Sequence, residues 1–283
     1  SVVMAAFSVA SVIGVPLGFV TSLLPVSLTE LLAVLALPAV IVLTVVLIRR
    51  LRRSRRRLNT LARAANGVGW VLSCAVLLYM LLHGVNYYRQ PVSSLMNLDM
   101  TPPETQQLTA LCTELVTRAS AAREALTEDE NGCTALSQSI TQTLGMAGDG
   151  YRRLDDRYPF LWGAVSRAKP VQLSHWWSYT GITGMYFPFL AEANVNIDQP
   201  DSAIPFTAAH ELAHTRGFAL EDECNFFAAL TCFESPSPDY RYSGYLTALI
   251  YCANDLYARD ADAWAAVRAG CSDGVLRDLA ERN

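Results

Sequence analysis

Apolar residues fall into two regimes along this chain. Over the first ninety positions they run almost without a break, and from about residue 92 they recur at helical or alternating spacing among charged side chains. Nothing before Glu30 is charged, 31–48 is apolar apart from Pro38 and Thr44, and 64–88 carries no Lys, Arg, Asp or Glu. A helix needs roughly 20 such residues to cross a hydrocarbon layer of about 30 Å. The pattern therefore predicts three membrane-spanning helices, at about 3–24, 28–48 and 66–86. Gly14, Pro16 and Gly18 interrupt the first. It lacks the basic start of a secretory signal, and a chain that begins without Met reads as a piece of a longer one. Before the second span, Ser27 and Glu30 have capping-box spacing, each side chain reaching the other's backbone amide.

Beyond residue 92 the spacing of Leu108, Leu111, Leu115 and Ala119 predicts a helix over 103–126, and a second is expected over 131–157. Short strands are expected in 170–200, in the segments VQLS, GMYF and ANVNI, bounded by Gly, Pro and Asp. Helical patterns return over 205–215, 220–233, 243–259 and 264–279. The fold class expected is an α-rich membrane protein: a transmembrane region over 1–91, then an α+β, zincin-like domain over 92–283 with a small sheet.

Charge sharpens this division. Only 17% of the 283 residues are charged and 52% are apolar, against roughly 25% charged in an ordinary soluble domain. Residues 1–91 hold nine basic residues, eight of them within 49–63, and one acidic residue; 92–283 hold 25 acidic and 13 basic residues. Short basic loops stay on the cytoplasmic side, so the 49–63 loop is expected inside and 92–283 outside the cytoplasm, in a multi-pass protein of the cell membrane. Trp70, Tyr87 and Tyr88 suit the bilayer interface. An acidic outer part is a poor match for nucleic acid. Cys74 lies in the third span; the other six cysteines fall in the presumed oxidising compartment, where Cys112 with Cys133 is the favoured disulfide. No CxxC pair suggests a cysteine-rich metal knuckle.

The chemistry concentrates at His210-Glu211-Leu212-Ala213-His214. On a helix, residues four apart leave the same face one turn apart. His210 and His214 can therefore hold one Zn2+, with Glu211 beside them to take a proton from a metal-bound water. Pro205 and Thr207 suit the helix start and Gly217 its end. A third ligand is needed. In the metzincin spacing it would fall at Leu220, which cannot bind metal, and no methionine follows Met185 to form a Met-turn. The nearby carboxylates are Glu221, Asp222 and Glu223. Glu221 is the expected ligand and Glu223 the reserve, although an acidic first turn also suits any helix N-terminus. Asn225 shares a face with Glu221 and is expected to steady a ligand histidine.

Weaker candidates surround this core. Asn194 and Asn196 lie on an alternating segment expected to be the edge strand that pairs with an extended substrate. Arg241, Tyr242 and Tyr245 are candidates for stabilising an oxyanion. His175 is expected to pack the Trp176–Trp177 pair, and His83 to be structural.

The run from Pro188 to Asn196, Pro205-Phe206-Thr207, HELAHTRGFALEDECNF and RYSGY, together with LPVSLTELL and NYYRQP in the front part, resembles the bacterial membrane family called domain of unknown function 3810 over nearly the whole chain. That resemblance implies a multi-pass membrane protein with a gluzincin-like domain of unassigned substrate. More distantly, Glu221-Asp222-Glu223-Cys224-Asn225 is similar to the ExxAD or ExxCD segment of membrane metallopeptidases, whose first Glu binds zinc. That favours Glu221, while Asn225 stands where those relatives carry Asp. The expected function is a membrane-anchored zinc metallopeptidase acting on a peptide or protein substrate through a Glu-activated, zinc-bound water. The alternative is a catalytically silent sensor or scaffold. An intramembrane protease is disfavoured because Arg216, Glu221, Asp222 and Glu223 make the motif region too charged for hydrocarbon.

Overall fold

The computed structural model describes residues 9–161, 163 and 166–282, with side chains from residue 13 onward. Three helices come first: α1 (Val9–Ser22), α2 (Leu28–Arg53) and α3 (Arg57–Leu82), the last running into a 3-10 turn at Gly84–Tyr88. Among the described residues two helices, not the three expected, are long and apolar enough to span a bilayer: Leu28–Arg53, and Arg57–Tyr88 with its 3-10 extension. At 26 residues, α2 reaches about 39 Å at 1.5 Å per residue. The 14 residues of α1 reach only about 21 Å by the same rise, short of the span expected at 3–24, part of which lies outside the described residues.

The remaining chain is mostly helical, with small sheets. After the one-turn α4 (Val92–Leu95) come α5 (Thr105–Arg123), a hairpin of β1 (Thr127–Glu128) and β2 (Thr134–Ala135), α6 (Ile140–Gly145) and α7 (Asp149–Asp155). The single helix expected over 131–157 is thus a strand and two short helices, broken where Gly145 and Gly148 flank a turn. β3 (Ala168–Val171), α8 (Ser174–Ser178), β4 (Gly184–Phe187) and β5 (Glu192–Asn196) follow, then α9 (Ile204–Thr215), α10 (Glu221–Glu234), α11 (Pro238–Arg259), α12 (Ala261–Arg268) and α13 (Asp273–Glu281). Pro238 occupies the first turn of α11, where its missing amide costs nothing, so that helix starts earlier than its apolar spacing suggests. The helix expected over 264–279 is two, because Ser272 caps a fresh start at the Val275 amide.

The larger sheet has the order β3–β5–β4, with β5 parallel to β3 and antiparallel to β4. Leu212 and Ala213 of α9, Ala193 and Val195 of β5, Tyr151 of α7 and Phe227 of α10 share one buried core. Leu108, Cys112 and Leu115 of α5 pack with Leu249 and Leu256 of α11 in a second. All seven thiols are free. The expected Cys112–Cys133 bridge does not form, because Cys112 is sealed in that second core beside Cys252 while Cys133 lies in the hairpin near Asp278 and Glu281.

A polar knot ties the first two helices to the sheet. Lys169 of β3 and Glu192 of β5 form a buried ion pair. Lys169 Nζ also donates to the Thr21 carbonyl at the end of α1 (2.8 Å), while Glu192 accepts from the Thr29 amide (2.8 Å) and hydroxyl (2.7 Å) at the start of α2. Each charge thus faces the helix end whose dipole it complements. Ser27 caps α2 through the Glu30 amide at 2.9 Å and donates to Asn194 Oδ1 at 2.6 Å. The Glu30 carboxylate does not close the capping box expected from sequence; it accepts from the Gln172 and Leu173 amides, 2.9 and 2.7 Å away, ahead of α8.

Candidate metal centre

Helix α9 carries the HExxH residues and ends at Gly217, whose φ of 81° lies in the left-handed region that glycine adopts without strain. The reversal lets the Gly217 and Phe218 amides satisfy the last carbonyls of the helix. It also turns the Phe218 carbonyl back under His214, whose Nδ1 donates to it at 2.8 Å. From α10, Asn225 presents Oδ1 to His210 Nδ1 at 2.9 Å. Both imidazoles therefore project Nε2 toward the same point, their centroids 5.1 Å apart. Glu221, in the first turn of α10, meets them there: its carboxylate lies 3.0 Å from His210 Nε2 and 3.5 Å from His214 Nε2. One donor atom from each of the three residues falls within 4.8 Å of the others.

The proton count at this cluster fits a cation. A carbonyl accepts only, so His214 carries its proton on Nδ1, which leaves the Nε2 lone pair facing carboxylate lone pairs. Protonating the ring would relieve that opposition, but burial pulls the pKa values of His210 and His214 down. A metal ion between two neutral imidazoles and a carboxylate satisfies all three. Two nitrogens and one carboxylate are a donor set that suits zinc with an open coordination position.

Glu211 is buried beside this point. The Tyr186 amide of β4 bonds to its carboxylate, yet Oε2 has no partner among the described residues. Burial, followed by the nearby Glu221 charge, pushes its pKa well above the usual carboxylate range. The fit depends on Gly184: a Cβ there would lie 2.4 Å from Glu211 Oε1.

The cluster opens into a cleft of about 580 Å³. One wall is the end of α3, where the His83 ring lies 6.1 Å from that of His214 and 5.6 Å from that of Tyr186. Tyr186 in turn stacks on His214 with centroids 6.0 Å apart. Tyr79 and Tyr87 extend this wall, and Thr247, Tyr251 and Arg282 line the cleft as well.

The structure brings together His210, Glu211, His214, Glu221 and Asn225 and leaves the other candidates elsewhere. Glu223 turns away and accepts from the Val92 amide at 2.7 Å, which fixes α4. Asn194 and Asn196 do not lie on an edge: β5 is the central strand, buried throughout, and β4 is the edge beside the cleft. The Asn194 side chain bonds to Ser27, and that of Asn196 to the Ile182 carbonyl at 2.8 Å. Arg241 clamps the Ser235 and Pro236 carbonyls, Tyr242 bonds to Asp278, and Tyr245 stacks on Phe233. None of these three lines the cleft, so none can reach an oxyanion formed there. His175 is exposed and contacts Asp198 and Tyr179. His83, expected to be only structural, is part of the cleft wall. The sequence signals that could have found the wall were Tyr79, His83 and Tyr87, spaced four apart along one helical face.

Two histidines and a glutamate around one point, with a buried carboxyl beside them and a cleft in front, define a candidate divalent-cation centre in a mostly helical protein. The chain belongs to the family described as Protein of unknown function (DUF3810), whose pattern it matches over residues 8–283. No curated protein and no solved structure matches it.

Proposed function

We propose that this protein is a membrane-anchored, zinc-dependent peptidase, with His210, His214 and Glu221 holding the metal. The observation that carries the reading is the convergence of both Nε2 atoms on the Glu221 carboxylate, with Glu211 buried alongside and one of its oxygens unpartnered. Zinc, when bound there, supplies Lewis acidity toward water and a substrate carbonyl. Glu211 takes the proton of the attacking water on Oε2 and returns it to the leaving amine. The cleft-side edge of β4, whose Tyr186 amide is held by Glu211, receives the peptide as an added strand.

Helices α2 and α3 serve as the anchor. None of the apolar window of α2 is buried against protein, which distinguishes it from the core helix of a soluble domain. Its first turn is bonded to Glu192, as suits a permanent part of the fold rather than a removable leader. The Arg-rich turn between α2 and α3 lies at the cytoplasmic face, and the metal centre on the other side.

The test is full-length protein in detergent, assayed for bound metal and for hydrolysis of a mixed peptide library. Stoichiometric zinc in wild type, lost in His210→Ala and Glu221→Ala, is expected. So is hydrolysis that Glu211→Gln abolishes while zinc stays bound. Zinc without hydrolysis would leave the chain a silent scaffold; no zinc would end both readings.

A further inference from the structure

The cleft that holds the histidines has a second polar pole at Arg282, which follows α13. Its Nε donates to Ser202 Oγ at 3.0 Å, Nη1 to Thr247 Oγ1 at 2.8 Å and Nη2 to the Ser202 carbonyl. All three acceptors are neutral. A guanidinium has five N–H donors, so two remain. Two buried cations of the domain sit against carboxylates, Lys169 on Glu192 and Arg123 on Asp278, while the buried Arg216 does not. Arg282 makes no ion pair with any described residue. Two acids attract it at longer range: Asp278, already bonded to Arg123, Tyr242 and Thr134, and its exposed neighbour Glu281. Arg282 is half-buried, bonded directly to no carboxylate among the described residues, and borders an open cleft. The orientation of the edge strand adds a direction. A peptide that continues the antiparallel sense of the β4–β5 pair runs from the Phe187 end toward Gly184, so its C-terminal part leads past Thr183 and Gln199, which line the cleft with Arg282.

The geometry points to Arg282 as the receptor for a substrate carboxylate on the C-terminal side of the cleaved bond, supplied by the peptide's own terminus or by an acidic side chain. The inference rests on the peptidase reading and narrows its substrate class. The three contacts fix the guanidinium plane, and its two free donors match the two oxygens of a carboxylate.

Three pools of fluorescently labelled octapeptides test this with zinc-loaded, full-length protein: free acids without Asp or Glu, the same sequences as C-terminal amides, and amides containing one Glu. The free-acid pool, or the Glu-containing amides, should be cleaved about ten- to hundredfold faster than the plain amides, the range for a hydrogen-bonded charge pair. Which pool gains identifies the source of the carboxylate. Arg282→Gln should bring the ratio close to one, and Arg282→Lys should retain part of it. Fluorescence anisotropy of the same pools on zinc-loaded Glu211→Gln protein reads binding without turnover, so loss of the peptidase reading and loss of this one are separable. Equal binding of all pools by that protein overturns the assignment, as does binding of none. An Arg282→Gln variant that weakens all pools alike reduces Arg282 to a strut between Ser202 and Thr247. If that variant does not fold, the wild-type ratio alone decides.

Discussion

Replacing Asn225 by alanine removes the acceptor that faces His210 Nδ1 at 2.9 Å and leaves Glu221, His214 and the helix intact. Two costs follow. The Nδ1–H of a mostly buried ring loses its partner, worth about 1–3 kcal/mol for an unsatisfied buried donor. The ring is also free to carry its proton on Nε2, the form that cannot bind metal. Together these correspond to a loss of about 10- to 100-fold in zinc affinity, the range seen when the outer partner of a metal-bound histidine is removed. Competition against chelators of graded strength, with metal counted by mass spectrometry, measures it. Asn225→Asp should bind zinc more tightly than wild type, because a carboxylate raises the basicity of the ring it holds. If Asn225→Ala binds zinc within twofold of wild type while Glu221→Ala does not, the argument that the Nδ1 partner sets the ring for metal is wrong.

Gly184→Ala should leave zinc content unchanged and lower hydrolysis about 100-fold, since a Cβ 2.4 Å from Glu211 Oε1 forces the carboxylate aside; undiminished turnover would show that Glu211 does not need that place. The raised pKa of Glu211 means that the folded, metal-free protein holds a proton the unfolded chain releases earlier, so stability from this group declines as pH climbs above the unfolded value. Glu211→Gln should therefore melt above wild type by a margin that grows as pH climbs above the usual carboxylate range, read by differential scanning fluorimetry without zinc; a flat margin contradicts the assignment. Glu192→Gln and Lys169→Met should each cost about 3–5 kcal/mol, since each strands one buried charge. The double variant should cost less than the sum of the two, and strict additivity would mean the charges do not depend on each other.

Sequence spacing was enough for the cluster itself, because its parts are local. His210 and His214 need only a helix, and Glu221 and Asn225 only a second helix after the turn at Gly217. It misled where the role of a segment depends on what arrives from elsewhere. Asn194 and Asn196 alternate like edge-strand residues, but β4 folds back onto β5 and takes the edge, and the asparagines are consumed by Ser27 and the Ile182 carbonyl. Glu30 has capping-box spacing, yet two free amides ahead of α8 offer it a better use. The cleft walls combine α3, β4, α11 and Arg282, which are far apart in sequence, and no local pattern joins them. Arg241, Tyr242 and Tyr245 look reactive as a cluster, but α11 directs them to carbonyls, Asp278 and Phe233.

The continuity of α3 has a mechanical consequence. Its 26 residues make a rod about 39 Å long, with the Arg-rich turn at one end and, just past the other, the His83 ring that faces His214 and Tyr186. A rod of that length tilted by about five degrees shifts its tip by about 3 Å, comparable to a whole hydrogen bond. Any force that re-tilts this helix would arrive at the histidines as a displaced wall; on the proposed membrane anchoring, a change in lipid thickness is such a force.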